Sequence, residues 1–421
     1  MWTVFAATYV GIALGRFPRL VLDRTGIALL GAIAMLLLHG LTIQQAAAQV
    51  DYETILLLFG LMIFSAQLRV AGFYGLVGRF VARLLGRPRT LLAVLILISG
   101  LLSALLANDI VCLAFTPLIC AALLPAKRDP VPYLLALATS ANIGSAATLI
   151  GNPQNMYIGI AARLPFGHYS LTAAPITLVA LAICWLGIIV LFRGRLSAGP
   201  TGDAPQTPMH EGDTLVPSSL PLQTRTPEPD WFLIAKTLLL LLGLVVCFLC
   251  VTGEWRAISA LAGAGLLLCS HRAKAAKLYQ FVDWNLILLF LSLFVVNGAM
   301  NERGLTRSAF DYVRDSGVDL SRPVTLSAVT LVLSNLVSNV PAVLLLKPSI
   351  AMTDHRSWYL LAIVSTWAGN LTLVGSIANL IVAESAAAYG VRVDLKTYCR
   401  IGIPLTLLTV LMGALWIMAI M

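Results

Sequence analysis

Charge is what this chain of 421 residues lacks. Asp, Glu, Lys and Arg together make up 11% of it and hydrophobic residues 59%, whereas a soluble protein carries about 25% charged residues. Mean hydropathy is +0.90. So little charge cannot cover a water-facing surface. That excludes a soluble globular domain and implies an integral membrane protein with lipid around most of its surface. Basic blocks are missing as well. The net charge is +9, but the cations are scattered at the ends of apolar runs, where membrane topology needs them, so no nucleic acid is expected as a partner. Histidine is scarce. His39, His168, His210, His271 and His355 fall in or beside loops, without metal-ligand spacing. The seven cysteines mostly lie in apolar runs, and Cys247 and Cys250 form a lone C-x-x-C with no second pair, so no metal site and no cofactor is expected. Paired acids, a Ser-His pair and H-E-x-x-H are all missing from the apolar runs, which speaks against an enzyme. The first apolar run starts at Met1 without a positive flank or a cleavage site, so no signal peptide is expected.

What is present is a succession of apolar runs. A membrane span needs about 20 apolar residues, and most runs fit one helix. Three do not. Run 91–124 is too long and carries Asn108-Asp109 near its middle; run 323–353 carries Ser338-Asn339 and Pro341. Both read as re-entrant hairpins, two helical arms joined by a polar tip. Run 131–163 holds SANIGSAATLIGNPQN with the breakers Gly151, Asn152 and Pro153. Irregular backbone at membrane depth is tolerated only where it is buried or lines a cavity. Residues 72–90 place Arg79, Arg83 and Arg87 opposite apolar residues and read as an interfacial amphipathic helix. Residues 194–230 hold seven prolines and no apolar run; they read as a disordered cytoplasmic linker.

The chain repeats across that linker. A shift of 232 places Arg24 on Arg256, Asp51 on Asp283 and Gly72 on Gly304. A shift of 231 places Asn108 on Asn339 and Pro117 on Pro348. A shift of 224 superposes T-L-[IV]-G-x-x-x-N, Thr148 to Asn155 on Thr372 to Asn379. The expected fold is therefore an all-α polytopic membrane protein of two repeats, 1–193 and 231–421. Each would hold five transmembrane helices and one re-entrant helical hairpin. An odd number of spans inverts the second repeat, an architecture of many secondary transporters. The distribution of Lys and Arg places the linker in the cytoplasm and both termini outside a multi-pass inner membrane protein.

Hairpin tips and broken helices end helices inside the membrane. Asn108 and Asn339 read as N-caps of the second hairpin arms. Helix N-termini can hold an oxyanion or a hydroxylated solute without Lys or Arg, and free carbonyls at the breaks can coordinate Na⁺. Ser140, Asn142, Thr148, Asn152 and Asn155, with Ser145, are the candidate ligands of the first repeat. Ser338, Asn370, Thr372, Ser376 and Asn379 are those of the second. Asp109 is the only acid deep in an apolar run, and its repeat partner is Val340. It can carry a proton, balance a cation, or merely cap a helix. Cys112, one turn beyond Asn108, is a candidate soft ligand or a small buried hydrophobe.

These motifs resemble the ion-transporter superfamily, which includes the arsenite permease (ArsB) family, NhaD-type sodium/proton antiporters, citrate-metal symporters and divalent anion/sodium symporters. ANDIVCLAFTP resembles the arsenite-permease signature A-N-D-x-x-x-x-x-x-T-P, and SNLVSNVPAVLL its second hairpin. GNLTLVGSIANLIV is similar to a late stretch of the same family, while SANIGSAATLIGNPQN looks more like the symporter branches. The sodium symporters carry Ser-Asn-Thr at both tips, unlike Ala107-Asn108-Asp109 and Ser338-Asn339-Val340 here. The resemblance implies a secondary active transporter in which a hairpin core moves against a scaffold. Its favoured branch is ArsB-like proton-coupled export of arsenite or antimonite, a neutral metalloid hydroxide. Sodium-coupled carriage of a carboxylate or inorganic anion, or Na⁺/H⁺ antiport, is the alternative. The resemblance also leaves open a homodimer and a soluble ATPase subunit, as in some arsenite permeases.

Overall fold

The computed structural model describes residues 1–15, 22–197, 228–270 and 272–421. The greater part of the expected linker lies outside these residues, as do Arg16, Arg19, His210 and His271. The described residues form helices and no strands.

The first repeat contains α1 (Trp2–Leu14), α2 (Arg24–His39), α3 (Ile43–Ala48), α4 (Tyr52–Val70), α5 (Phe73–Ala82), α6 (Pro88–Leu105), α7 (Asn108–Leu123), α8 (Val131–Ser145), α9 (Pro153–Ala161) and α10 (Phe166–Ser197). The second contains α11 (Trp231–Cys250), α12 (Trp255–Leu268), α13 (Ala275–Tyr279), α14 (Trp284–Glu302), α15 (Leu305–Asp315), α16 (Pro323–Val337), α17 (Asn339–Leu346), α18 (His355–Ala368), α19 (Ile377–Ala387) and α20 (Leu395–Ile420). Ten elements thus recur in one order. Among the described residues, six helices are long and apolar enough to cross a membrane: α4, α6, α10, α11, α14 and α20. The amphipathic stretch is shorter than expected. α5 ends at Ala82, and Pro88 opens α6 at its first position.

Sequence landmarks do the same work in both repeats. Asp51 caps α4 by accepting from Thr54 N at 3.0 Å, and Asp283 caps α14 by accepting from Leu286 N at 2.9 Å. Gly72 and Gly304 precede α5 and α15 at φ of 77° and 70°, a left-handed conformation that favours glycine. The packing is reciprocal. α2 packs on α14 and α4 on α12; α7 packs on α19 and α17 on α9; α8 packs on α19 and α18 on α9. Exchanging the repeats leaves these pairings unchanged, which is the contact pattern of a pseudo-twofold axis.

The two hairpins, α6–α7 and α16–α17, and the two broken helices, α8–α9 and α18–α19, form the centre. Their approach is close because small residues permit it. A Cβ on Gly144 of α8 would overlap the backbone of Gly100 on α6. One turn away, Ser99 and Ser140 hydroxyls meet at 2.5 Å. Small residues let helix backbones touch in this way where lipid supplies no hydrophobic drive between helices.

Candidate functional site

Both broken helices break at the T-L-[IV]-G-x-x-x-N motif. In the first repeat α8 stops at Ser145 and α9 starts at Pro153. Asn152 caps α9, its side chain accepting from Asn155 N at 2.9 Å, and Pro153 fills the first helical position, where its missing N–H costs nothing. A side chain on Gly151 would overlap the carbonyls of Ser103 and Ser145. In the second repeat α18 stops at Ala368, a short 3₁₀ turn covers Leu373–Gly375, and α19 starts at Ile377. Ser376 precedes α19 without capping it, since its hydroxyl donates instead to Asn142 Oδ1 at 3.1 Å.

Asn142 is the hub. Its Oδ1 accepts from Asn108 Nδ2 at 2.8 Å as well as from Ser376, and its Nδ2 donates to Asn370 Oδ1 at 2.9 Å and Asn379 Oδ1 at 3.0 Å. The arrangement is mirrored in part by Thr366, on which the shift of 224 places Asn142. Thr366 Oγ1 accepts from Asn152 Nδ2 at 3.1 Å and donates to Asn155 Oδ1 at 3.3 Å. Each repeat's first half-helix is therefore hydrogen-bonded to the other repeat's second half-helix.

Several carbonyls at and near the breaks accept from side chains. Trp367 Nε1 donates to Ile143 O at 3.2 Å, and Tyr169 Oη donates to Ala146 O at 3.0 Å. Asn370 Nδ2 donates to Thr139 O at 3.1 Å, and Asn335 Nδ2 to Ala368 O at 2.8 Å. Asn379 Nδ2 reaches Gly369 O at 2.7 Å and Thr372 O at 3.2 Å.

Four helix N-termini meet at a cavity of about 20 Å³, those of α7, α17, α9 and α19. Asn108, Asp109, Ser338, Asn339, Gln154 and Ser376 supply its polar lining. That volume accommodates one water-sized group, so a larger solute requires the tips to part. Contrary to the capping expectation, Asn108 and Asn339 are the first helical residues of their arms, and neither arm has a side-chain cap. Asn108 is drawn away by Asn142, and the Oδ1 atoms of both asparagines are buried without a hydrogen-bond partner. Asp109 sits half-buried in the first turn of α7 and does not cap it. Ser338 holds the second tip at φ 76°, a conformation that costs a non-glycine residue of order 1–3 kcal/mol and that collects at functional sites.

The expected residues thus divide. Asn108, Asp109, Ser338, Asn339 and Ser376 face the cavity. Asn142, Asn370 and Asn379 stand behind it in one network, with Asn152 and Asn155 in its counterpart. Three are used elsewhere. Ser140 bonds Ser99, Thr148 bonds the Ala104 carbonyl, and Thr372 donates to Asn335 Oδ1 at 3.2 Å. Cys112 is fully buried in the core and does not line the cavity. Thr366, Gln154 and Asn335 were not expected. The signal for Thr366 lies in the repeat, since the shift of 224 extended back from the motif places Asn142 on it.

Residues 9–368 match the model of the citrate transporter family, CitMHS. The chain belongs to that family. A silicon efflux transporter of Oryza sativa subsp. japonica, LSI3, is 31% identical to this CitMHS protein over 94% of the chain and 92% of its own length. A transporter from Dictyostelium discoideum named arsB, a function assigned to it provisionally, is 24% identical over 93% of the chain and 86% of its own length. Among solved structures, the Alcanivorax borkumensis YdaH transporter superposes with a TM-score of 0.55 at 15% identity, covering 99% of this chain and 95% of its own, a likeness of fold. The CitMHS protein is accordingly a multi-pass secondary transporter, from a family of transporters rather than enzymes.

Proposed function

We propose that this CitMHS protein exports neutral metalloid hydroxides, arsenite and antimonite first, in exchange for protons. The observation that carries the reading is the pair of buried, unpartnered amide oxygens, Asn108 Oδ1 and Asn339 Oδ1, on two residues of a cavity lining that holds no Lys or Arg; parting of the tips would uncover them. A buried acceptor is costly until it meets a donor. The hydroxyls of arsenous acid donate to these oxygens, and their own lone pairs accept from N–H groups at the helix starts. The carboxylate groups of a di- or trivalent anion present only acceptors, and they would lose their hydration with no cation to replace it. The related silicon efflux transporter carries, by its name, an element whose acid is also a neutral hydroxide.

Proton coupling is supported by the state of the breaks. Sodium bound there would compete with the side-chain donors that already reach the carbonyls of Thr139, Ile143, Ala146, Ala368 and Gly369. Asp109 is the proton carrier in this reading, one residue from the tip asparagine. The reciprocal packing fits an inverted second repeat, and the distribution of Lys and Arg favours both termini outside the inner membrane.

Everted vesicles with an imposed pH gradient test the reading. Arsenite should accumulate, and the accumulation should collapse with a protonophore. Asp109→Asn should abolish gradient-driven uptake while leaving the protein folded and inserted, and replacing the exposed Asp315 should change nothing. Sodium-dependent uptake of a carboxylate with no arsenite uptake overturns the proposal in favour of the sodium-coupled alternative. Full gradient-driven uptake by Asp109→Asn removes its coupling role.

A further inference from the structure

We propose that Asn142 is the positioning residue that sets the polarity of the first hairpin tip, and through it selects hydroxyl donors over oxyanions. This rests on the functional reading above for the identity of the solute, but the polarity itself follows from the hydrogen bonds. Backbone carbonyls only accept. Asn379 Nδ2 is committed to the carbonyls of Gly369 and Thr372, and Asn370 Nδ2 to that of Thr139. Both amides are thereby held one way round, with Oδ1 left to accept. Both accept from Asn142 Nδ2. An amide has two donor hydrogens on nitrogen and acceptor capacity only on oxygen, so Asn142 is also fixed, its Oδ1 turned toward Asn108 and Ser376. Oδ1 takes Asn108 Nδ2 at 2.8 Å. What remains of Asn108, a residue of the cavity lining, is an oxygen, buried and unpartnered until the tips part.

The relay thus carries a direction from fixed backbone to the binding cavity through three ranks of asparagine. Reversing Asn108 would set two amide nitrogens, or two oxygens, against each other somewhere along it. Thr366, at the pseudo-equivalent position of the other repeat, cannot transmit the same direction. A hydroxyl both donates and accepts at a single rotatable atom, and Thr366 spends it on Asn152, Asn155 and its own helix. The selective tip is the one that also carries Asp109.

The test uses full-length protein purified in detergent, with thermal stabilisation as the readout. Arsenite, silicic acid and boric acid serve as neutral hydroxide probes, and phosphate and citrate as anions. Wild type should be stabilised by the hydroxides at lower concentration than by the anions. Asn142→Leu, similar in shape but without the relay, frees Asn108 to turn its nitrogen to the cavity. It should lose at least about tenfold of that preference, the worth of one hydrogen bond to a buried group. Asn142→Asp keeps the acceptor for Asn108 and should keep the direction of the preference. If Asn142→Leu does not fold, Asn142→Thr copies the residue the fold already carries at the pseudo-equivalent position and should show the same loss. A folded Asn142→Leu or Asn142→Thr with the wild-type preference overturns the relay, as does an Asn142→Asp that reverses it. Because the comparison uses hydroxides as a class, vesicles that carry no arsenite would defeat the functional reading while leaving this result to stand or fall alone.

Discussion

Asn155 and Asn379 occupy the same repeat position, and both are fully buried, yet replacing them by leucine should not cost the same. Leucine resembles asparagine in shape, so the change removes hydrogen bonds with little change in volume. Asn379 makes three side-chain bonds, at 2.7, 3.0 and 3.2 Å, two of them to backbone carbonyls at the break. Asn155 also makes three, but at 3.3, 3.4 and 3.4 Å. One of its acceptors, Tyr169 Oη, keeps its bond to Ala146 O without it. At roughly 1 kcal/mol for a well-formed bond, and rather less for a long one or one between membrane helices, Asn379→Leu should cost about 3 kcal/mol and Asn155→Leu about 1 kcal/mol. The difference of about 2 kcal/mol is roughly a thirtyfold change in the folding equilibrium. Reversible unfolding of the purified variants in mixed micelles, followed by tryptophan fluorescence, measures it. Equal costs, or a larger cost for Asn155→Leu, would refute the argument that bond length and carbonyl satisfaction rank the two halves of the network.

Two further outcomes follow from the same packing. Gly144→Ala, whose methyl would overlap the Gly100 backbone, should destabilise by about 1–3 kcal/mol through overpacking, whereas Gly243→Ala, which meets open space within its helix, should be neutral or slightly stabilising; thermal melts of the two variants decide it. Cysteines placed at Asn108 and Asn339, on a background lacking the seven native cysteines, should react with membrane-impermeant thiol reagents from opposite sides, and labelling of both from one side only would defeat an inverted second repeat.

The repeat, the hairpins and the breaks were legible because breakers and polar tips interrupt long apolar runs at fixed offsets. The roles of single residues were less so. Asn at a helix start reads as a cap, but Asn108 is claimed by a residue 34 positions away, a tertiary demand that local preference does not contain. α8 hid its working face for a different reason. All fifteen of its residues are buried, so there is no polar stripe from which to tell Asn142, at the hub, from Ser140, which points to a hairpin arm. Hydrophobic periodicity reports a boundary between protein and its surroundings, and a helix without such a boundary leaves its orientation unwritten. What the repeat adds is a second copy to compare. Where both copies hold asparagine, as at 155 and 379, the residue serves the shared skeleton of the breaks. Where they differ, as Asn142 from Thr366 and Asp109 from Val340, the skeleton is served by either residue, so the difference must serve something the two halves do not share. Both differences converge on the first hairpin tip, one behind Asn108 and one beside it. A transporter built from two matched halves needs such asymmetry, because two equal tips would bind solute and coupling ion alike and give no reason for one to depend on the other.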